Sequence, residues 1–93
     1  MVVALLSIEL YIPGAQSLKD KRMVLRRVKD RISKFNVAVS EVEHQDSHTS
    51  AVLGIAVVSN ERAFIDQQLD AILTFMRNDG RFYLGQVERE IFS

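Results

Sequence analysis

The chain has 93 residues, 47% of them hydrophobic, with twelve Lys and Arg balanced by twelve Asp and Glu and no cysteine. That length gives one domain, residues 1–93, with one core, and the missing cysteines exclude disulfides, cysteine-ligated zinc and thiol chemistry, which makes the cytoplasm the expected setting. No apolar stretch reaches membrane-spanning length, and the opening Met1 to Leu6 lacks a basic leader and is broken by Ser7 and Glu9, so it reads as a strand and not as a signal peptide.

Residues 2–12 alternate, with Ala4, Leu6, Ile8, Leu10 and Ile12 on one face and Val3, Leu5, Ser7, Glu9 and Tyr11 on the other. Pro13 and Gly14 break this strand. Ser17 followed by Asp20 has capping-box spacing, so a helix is expected to begin near Leu18. Its stripe of Leu18, Leu25, Val28, Ile32 and Phe35 turns Lys19, Arg22, Arg26 and Lys29 onto the opposite side. From Val37 to His44 the pattern is that of a half-exposed edge strand, and Gln45 to Ser50 reads as a polar loop. Ala51 to Ser59 is almost wholly apolar and β-branched, which suits a central strand. Asn60 is the expected cap of a second helix whose core stripe is Phe64, Ile65, Leu69, Ile72, Leu73 and Met76, stopped by Asp79-Gly80. A last strand, from about Phe82 to Phe92, sets Tyr83, Val87 and Ile91 against Gln86, Glu88 and Glu90.

Strand, helix, strand, strand, helix, strand, with right-handed crossovers and an antiparallel middle hairpin, is the α+β ferredoxin-like βαββαβ sandwich. It predicts a four-stranded antiparallel sheet of order 4-1-3-2 with two helices on one face. The most apolar strands, the first and third, then lie in the centre.

Such a sheet has a bare face. RNA-recognition domains of this topology stack bases on aromatics of the first and third strands, and the third strand here, AVLGIAVVS, has none. A bare face carrying Val3, Leu5 and Tyr11 with either the Val52 or the Leu53 set is apolar enough to serve as an interface. A homodimer through the sheet or its edge is therefore one expectation, and chain ends folding over the face are the other.

Charge is segregated although it sums to zero. Eight of the twelve bases fall between Lys19 and Lys34 against only Asp20 and Asp30, a local charge of +6. Lys19, Lys21, Arg22, Arg26, Arg27 and Lys29, with Arg31 and Lys34 beyond them, are the candidate RNA-binding residues, because a cationic row neutralises phosphates without reading sequence. The competing reading is a solvated face paired with acids such as Glu61 and Asp66 of the second helix.

Two other segments bear on chemistry. His44, Asp46 and His48 alternate, so an extended backbone would aim them together as metal ligands, although the spacing matches no known ligand motif and no metal or other cofactor is expected. His44 with Asp46 could exchange protons, but no nucleophile or oxyanion device accompanies them. No catalytic residue is assigned. The turn 13–17 could seat an anion at the helix start, against the simpler reading of ordinary capping.

Ile12-Pro13-Gly14-Ala15 with Ser17-Leu18-Lys19-Asp20-Lys21-Arg22, then Glu41-Val42-Glu43-His44-Gln45-Asp46, Val57-Val58-Ser59-Asn60 and Val87-Glu88-Arg89-Glu90, together resemble the YlxP-like family of small bacterial proteins, domain of unknown function 503. The resemblance covers the whole chain. It implies a ferredoxin-like fold, a bacterial cytoplasmic setting and genes that often neighbour those of ribosome-maturation and translation factors. It carries over no activity or site residue. Acylphosphatases share the topology but need an arginine in the loop here occupied by residues 13–17, and copper chaperones need paired cysteines. The expected function is that of a non-enzymatic accessory protein of ribosome maturation or translation, its partner RNA or a ribosomal particle, with no membrane involved. The alternative is a dimeric regulatory or interaction module that binds a small ligand or protein on its sheet.

Overall fold

A computed structural model describes all residues, Met1–Ser93. The elements run β1 (Val2–Tyr11), α1 (Leu18–Ser33), β2 (Ala38–Glu43), β3 (Ser50–Ser59), α2 (Arg62–Arg77) and β4 (Tyr83–Phe92). The strands form one antiparallel sheet in the order β2-β3-β1-β4, the ferredoxin-like arrangement.

Registration explains which residues meet the helices. Ala4, Leu6, Ile8 and Leu10 of β1 lie opposite Val57, Ile55, Leu53 and Ala51 of β3. All eight are buried, and with Val28 and Ile32 of α1 and Ile65, Leu69, Ile72 and Met76 of α2 they belong to a single core. On the other face Val3, Leu5, Ser7, Glu9 and Tyr11 meet Val58, Ala56, Gly54, Val52 and Ser50, so the Val52 set, and not the Leu53 set, shares the bare side.

Local departures have identifiable causes. β4 holds one residue more than β1 where Val87 and Leu84 face Ile8 and Leu10, a bulge that turns Tyr83 to the bare face opposite Tyr11 instead of keeping it with Val87 and Ile91. Within it Gly85 lies under the Glu9 carboxylate and the Tyr11 ring, whose Cε2 would be 2.7 Å from an added Cβ. Phe64, expected in the core, is exposed. Glu61, not Asn60, caps α2, and its amide donates to Ser59 Oγ at 3.2 Å. Gly80 does not adopt a left-handed conformation, and α2 closes instead through Asn78 N–H to Thr74 O and Asp79 N–H to Met76 O, both 3.2 Å. After α1, Asn36 takes the left-handed turn at φ 63°.

Candidate nucleic-acid interface

The N-terminus of α1 is closed by its own side chains. Ser17 Oγ accepts from Asp20 N–H at 3.1 Å, and Asp20 Oδ2 accepts from Gln16 N–H at 3.0 Å. This is the capping reading of the turn 13–17.

From that start the helix sorts its bases by position. Lys19, Arg22 and Arg26 are exposed and Lys29 half-buried, and their spacing sets them in one row along the rod. Arg27 and Arg31, four apart, lie on a second flank with Asp20 and Val24. Lys34 is exposed at the C-cap. None of these seven is in an ion pair. Of the acids expected to neutralise the row, Asp66 faces Arg89 of β4 at 3.7 Å, an arginine that Asp70 also meets at 2.9 Å, and Glu61 pairs with nothing.

Lys21 is the correction to the basic row. It is 1% exposed and cannot meet an external phosphate from where it stands. Its ammonium donates to His44 O and Ser47 O, each at 2.6 Å, and lies 2.8 Å from Glu41 Oε2. Two hydrogen bonds to carbonyls and one ion pair compensate the buried charge, although Glu41 Oε2 itself accepts no well-aligned hydrogen bond. The spacing held a signal, for Lys21 stands four residues before Leu25 on the stripe that continues through Val28 and Ile32.

The same contact orders the β2–β3 loop. Ser47 N–H donates to His44 O at 3.0 Å, and Ser47 Oγ accepts from Thr49 N–H and Ser50 N–H at 3.3 and 3.2 Å. His44 adopts φ 66°, so the extended backbone that would aim His44, Asp46 and His48 together is not present. All three are exposed, and no three His, Asp or Glu side chains gather in a set that could hold a metal ion.

The bare face of the sheet divides in two. One half is an open hollow of about 400 Å³ that includes Leu5, Ala38, Val42, Gly54 and Ala56 among its walls, with exposed Val58 nearby in β3. The other half carries Glu9, Glu43 and Glu88 around a polar depression. Glu9 accepts from Gln86 N–H at 3.3 Å, and hydrogen bonds from Tyr11 and from that amide hold its carboxyl below the usual range. The Tyr11 phenol is raised in turn by Glu9. The cationic α1 and this acidic patch lie on opposite sides of the sheet, although Asp66, Asp70 and Asp79 share the helix side.

A basic residue missed in the reading of residues 19–34 is Arg81. It donates through Nε and Nη2 to the two oxygens of Asp79 at 3.0 and 2.7 Å, beside the second flank of α1. The only sequence signal is its separation of two residues from Asp79 across the α2–β4 turn.

Residues 3–89 match the family described as "Protein of unknown function (DUF503)". "Uncharacterized protein YlxP" of Bacillus subtilis (strain 168) is 42% identical over 69 residues, covering 73% of this chain and 75% of that protein. Among solved structures, the designed protein Foldit4 superposes with a TM-score of 0.56 at 14% identity, over 98% of this chain and 97% of its own. SnoaB, a cofactor-independent oxygenase from Streptomyces nogalater, gives 0.51 at 13% identity, over 99% and 91%. At such identities these two likenesses speak for the fold alone. No helix is long and apolar enough to cross a membrane. Matched over nearly its whole length, the chain belongs to the DUF503 family.

Proposed function

We propose that the protein is a non-enzymatic, cytoplasmic accessory factor of ribosome maturation or translation that binds RNA or a ribonucleoprotein particle through α1. The observation that carries this reading is the row Lys19, Arg22, Arg26 and Lys29, four bases with no carboxylate of the same chain paired to them. Free cations in a row exchange their counterions for phosphates, and the release of those counterions drives association. Gene neighbourhoods of similar proteins favour the ribosomal setting. Co-sedimentation of the native protein with ribosomal particles from its own cell tests it. The expected result is protein in a particle fraction at low salt and its release at high salt; absence from every particle fraction overturns the ribosomal assignment.

A second reading, compatible with the first, has two copies meeting through the apolar half of the bare sheet face. It is favoured by the hollow around Leu5, Val42 and Ala56, on the side of the sheet away from the helices. Pairing there leaves both α1 helices free, and a two-fold axis through the apolar half separates the two acidic halves.

A further inference from the structure

We propose that the cleft between α1 and the α2–β4 turn binds one phosphate ester, with Arg27, Arg31 and Arg81 as its ligands and Phe75 as the wall for the attached base. The site deepens the RNA-binding reading and rests on it for the identity of the strand. Its geometry is independent of the outer row.

Arg81 is the centre of the cleft. It borders an open space of about 540 Å³ together with Arg31, Phe75 and Asp79, and a neighbouring one of about 210 Å³ together with Arg27 and Val24. The larger is within the usual size range of small-ligand sites. Asp79 grips Arg81 side-on through Nε and Nη2, and it also accepts from the Arg81 backbone N–H at 2.9 Å. That grip fixes the plane of the guanidinium and leaves Nη1 without an acceptor in the chain. The Asp79 side chain is 8% exposed and accepts three hydrogen bonds from Arg81, so it positions Arg81 instead of blocking the cleft.

The ligand class follows from the charges and shapes. Arg27 and Arg31 form no ion pair, Arg31 adding only its charge to that of Arg81 in holding the Asp79 carboxyl low, and the only other acid bordering the cleft, Asp20, is committed to the helix cap. Three guanidiniums against two carboxylates leave one positive charge. A carboxylate satisfies one fork, as Asp79 does for Arg81; a tetrahedral phosphate offers oxygens to several forks at once. Phe75 is half-buried against Phe35, ring centroids 6.4 Å apart, and borders the cleft as a flat apolar surface of the kind on which bases stack. Phosphate and aromatic ring together describe a nucleotide unit, whether within a strand or free.

The test titrates the full chain with inorganic phosphate, with AMP and with a short RNA, following the Arg81 Nε–H and Gly80 amide resonances. The variants are Arg31→Gln, exposed and in no ion pair, and the charge-neutral pair Arg81→Gln with Asp79→Asn. The expected result is RNA binding in which each variant loses roughly tenfold in affinity and about one phosphate from the salt slope, with AMP shifting both resonances more than inorganic phosphate does. RNA binding that is lost with Arg22→Glu and Arg26→Glu but unchanged in the cleft variants overturns the cleft and keeps the row. Resonance shifts with AMP in a protein that binds no RNA keep the cleft as a site for a free nucleotide and overturn the RNA reading. No response to any of the three overturns both.

Discussion

Lys21 Nζ lies 2.8 Å from Glu41 Oε2 at a point where the lysine is all but sealed from water and the glutamate nearly so. The pair joins α1 to the edge strand β2, and the two carbonyls that complete the lysine's shell come from the loop after β2. Lys21→Met is expected to cost about 3 kcal/mol, because it strands a shielded carboxylate and the Ser47 carbonyl and leaves His44 O with only the Ser47 amide. Urea unfolding measures this, and adding Glu41→Gln should recover part of the loss. His44→Gly should stay within about 1 kcal/mol, since only the His44 carbonyl is used and glycine accepts φ 66° without strain.

Acid should act on Asp79 and Glu9. Arg81 holds the Asp79 carboxyl below the usual range, first by its side-chain hydrogen bonds, and Tyr11 does the same for Glu9. A carboxyl depressed in the folded state contributes stability that is complete above its unfolded value and is lost as pH falls through its folded value. Wild-type stability is therefore expected to fall between about pH 5 and pH 2 more steeply than that of Asp79→Asn. At the alkaline end the raised Tyr11 phenol works in the opposite sense, its contribution being lost as pH rises through the folded value. Glu9→Gln should flatten both limbs in a urea series across pH.

Leu69 and Phe64 sit on the same helix with opposite surroundings, the one fully buried and the other 49% exposed. Leu69→Ala is expected to cost about 2–5 kcal/mol and Phe64→Ser no more than about 0.5 kcal/mol in chemical denaturation. Equal costs would contradict the placement of α2.

Val58→Asp, at a residue 59% exposed on the bare face, tests the homodimer. Sedimentation equilibrium should give a dimer for the wild type and a monomer of unchanged circular dichroism for the variant. A wild type that is monomeric at every concentration contradicts the sheet-paired assembly.

The elements and their order follow from alternation in residues 2–12 and 51–59 and from the stripes of the two helices, because burial on one face imposes a period that the chain must display. Features made by single long-range contacts display none. Lys21 is buried by oxygens more than twenty residues away, so its charge outweighed its position on the stripe. Tyr83 changes face because Gly85 lets β4 bulge under Glu9 and Tyr11, and a glycine in a strand was the available cue. Arg81 joins the flank of Arg27 and Arg31 through the topology, more than forty residues from either in sequence. Phe64 lies to one side of the stripe of Ile65, Leu69, Ile72 and Met76 that faces the sheet, so it is exposed although its neighbour Ile65 is fully buried.

The central claim is that the outer row of α1 meets phosphates. Fluorescence anisotropy of a structured RNA, with the salt varied between about 50 and 200 mM, tests it through the slope of log affinity against log salt. Four contacts predict a slope of about −3, falling by about two units in Arg22→Glu with Arg26→Glu. A flat salt response, or a double variant that binds as tightly as the wild type, would contradict it.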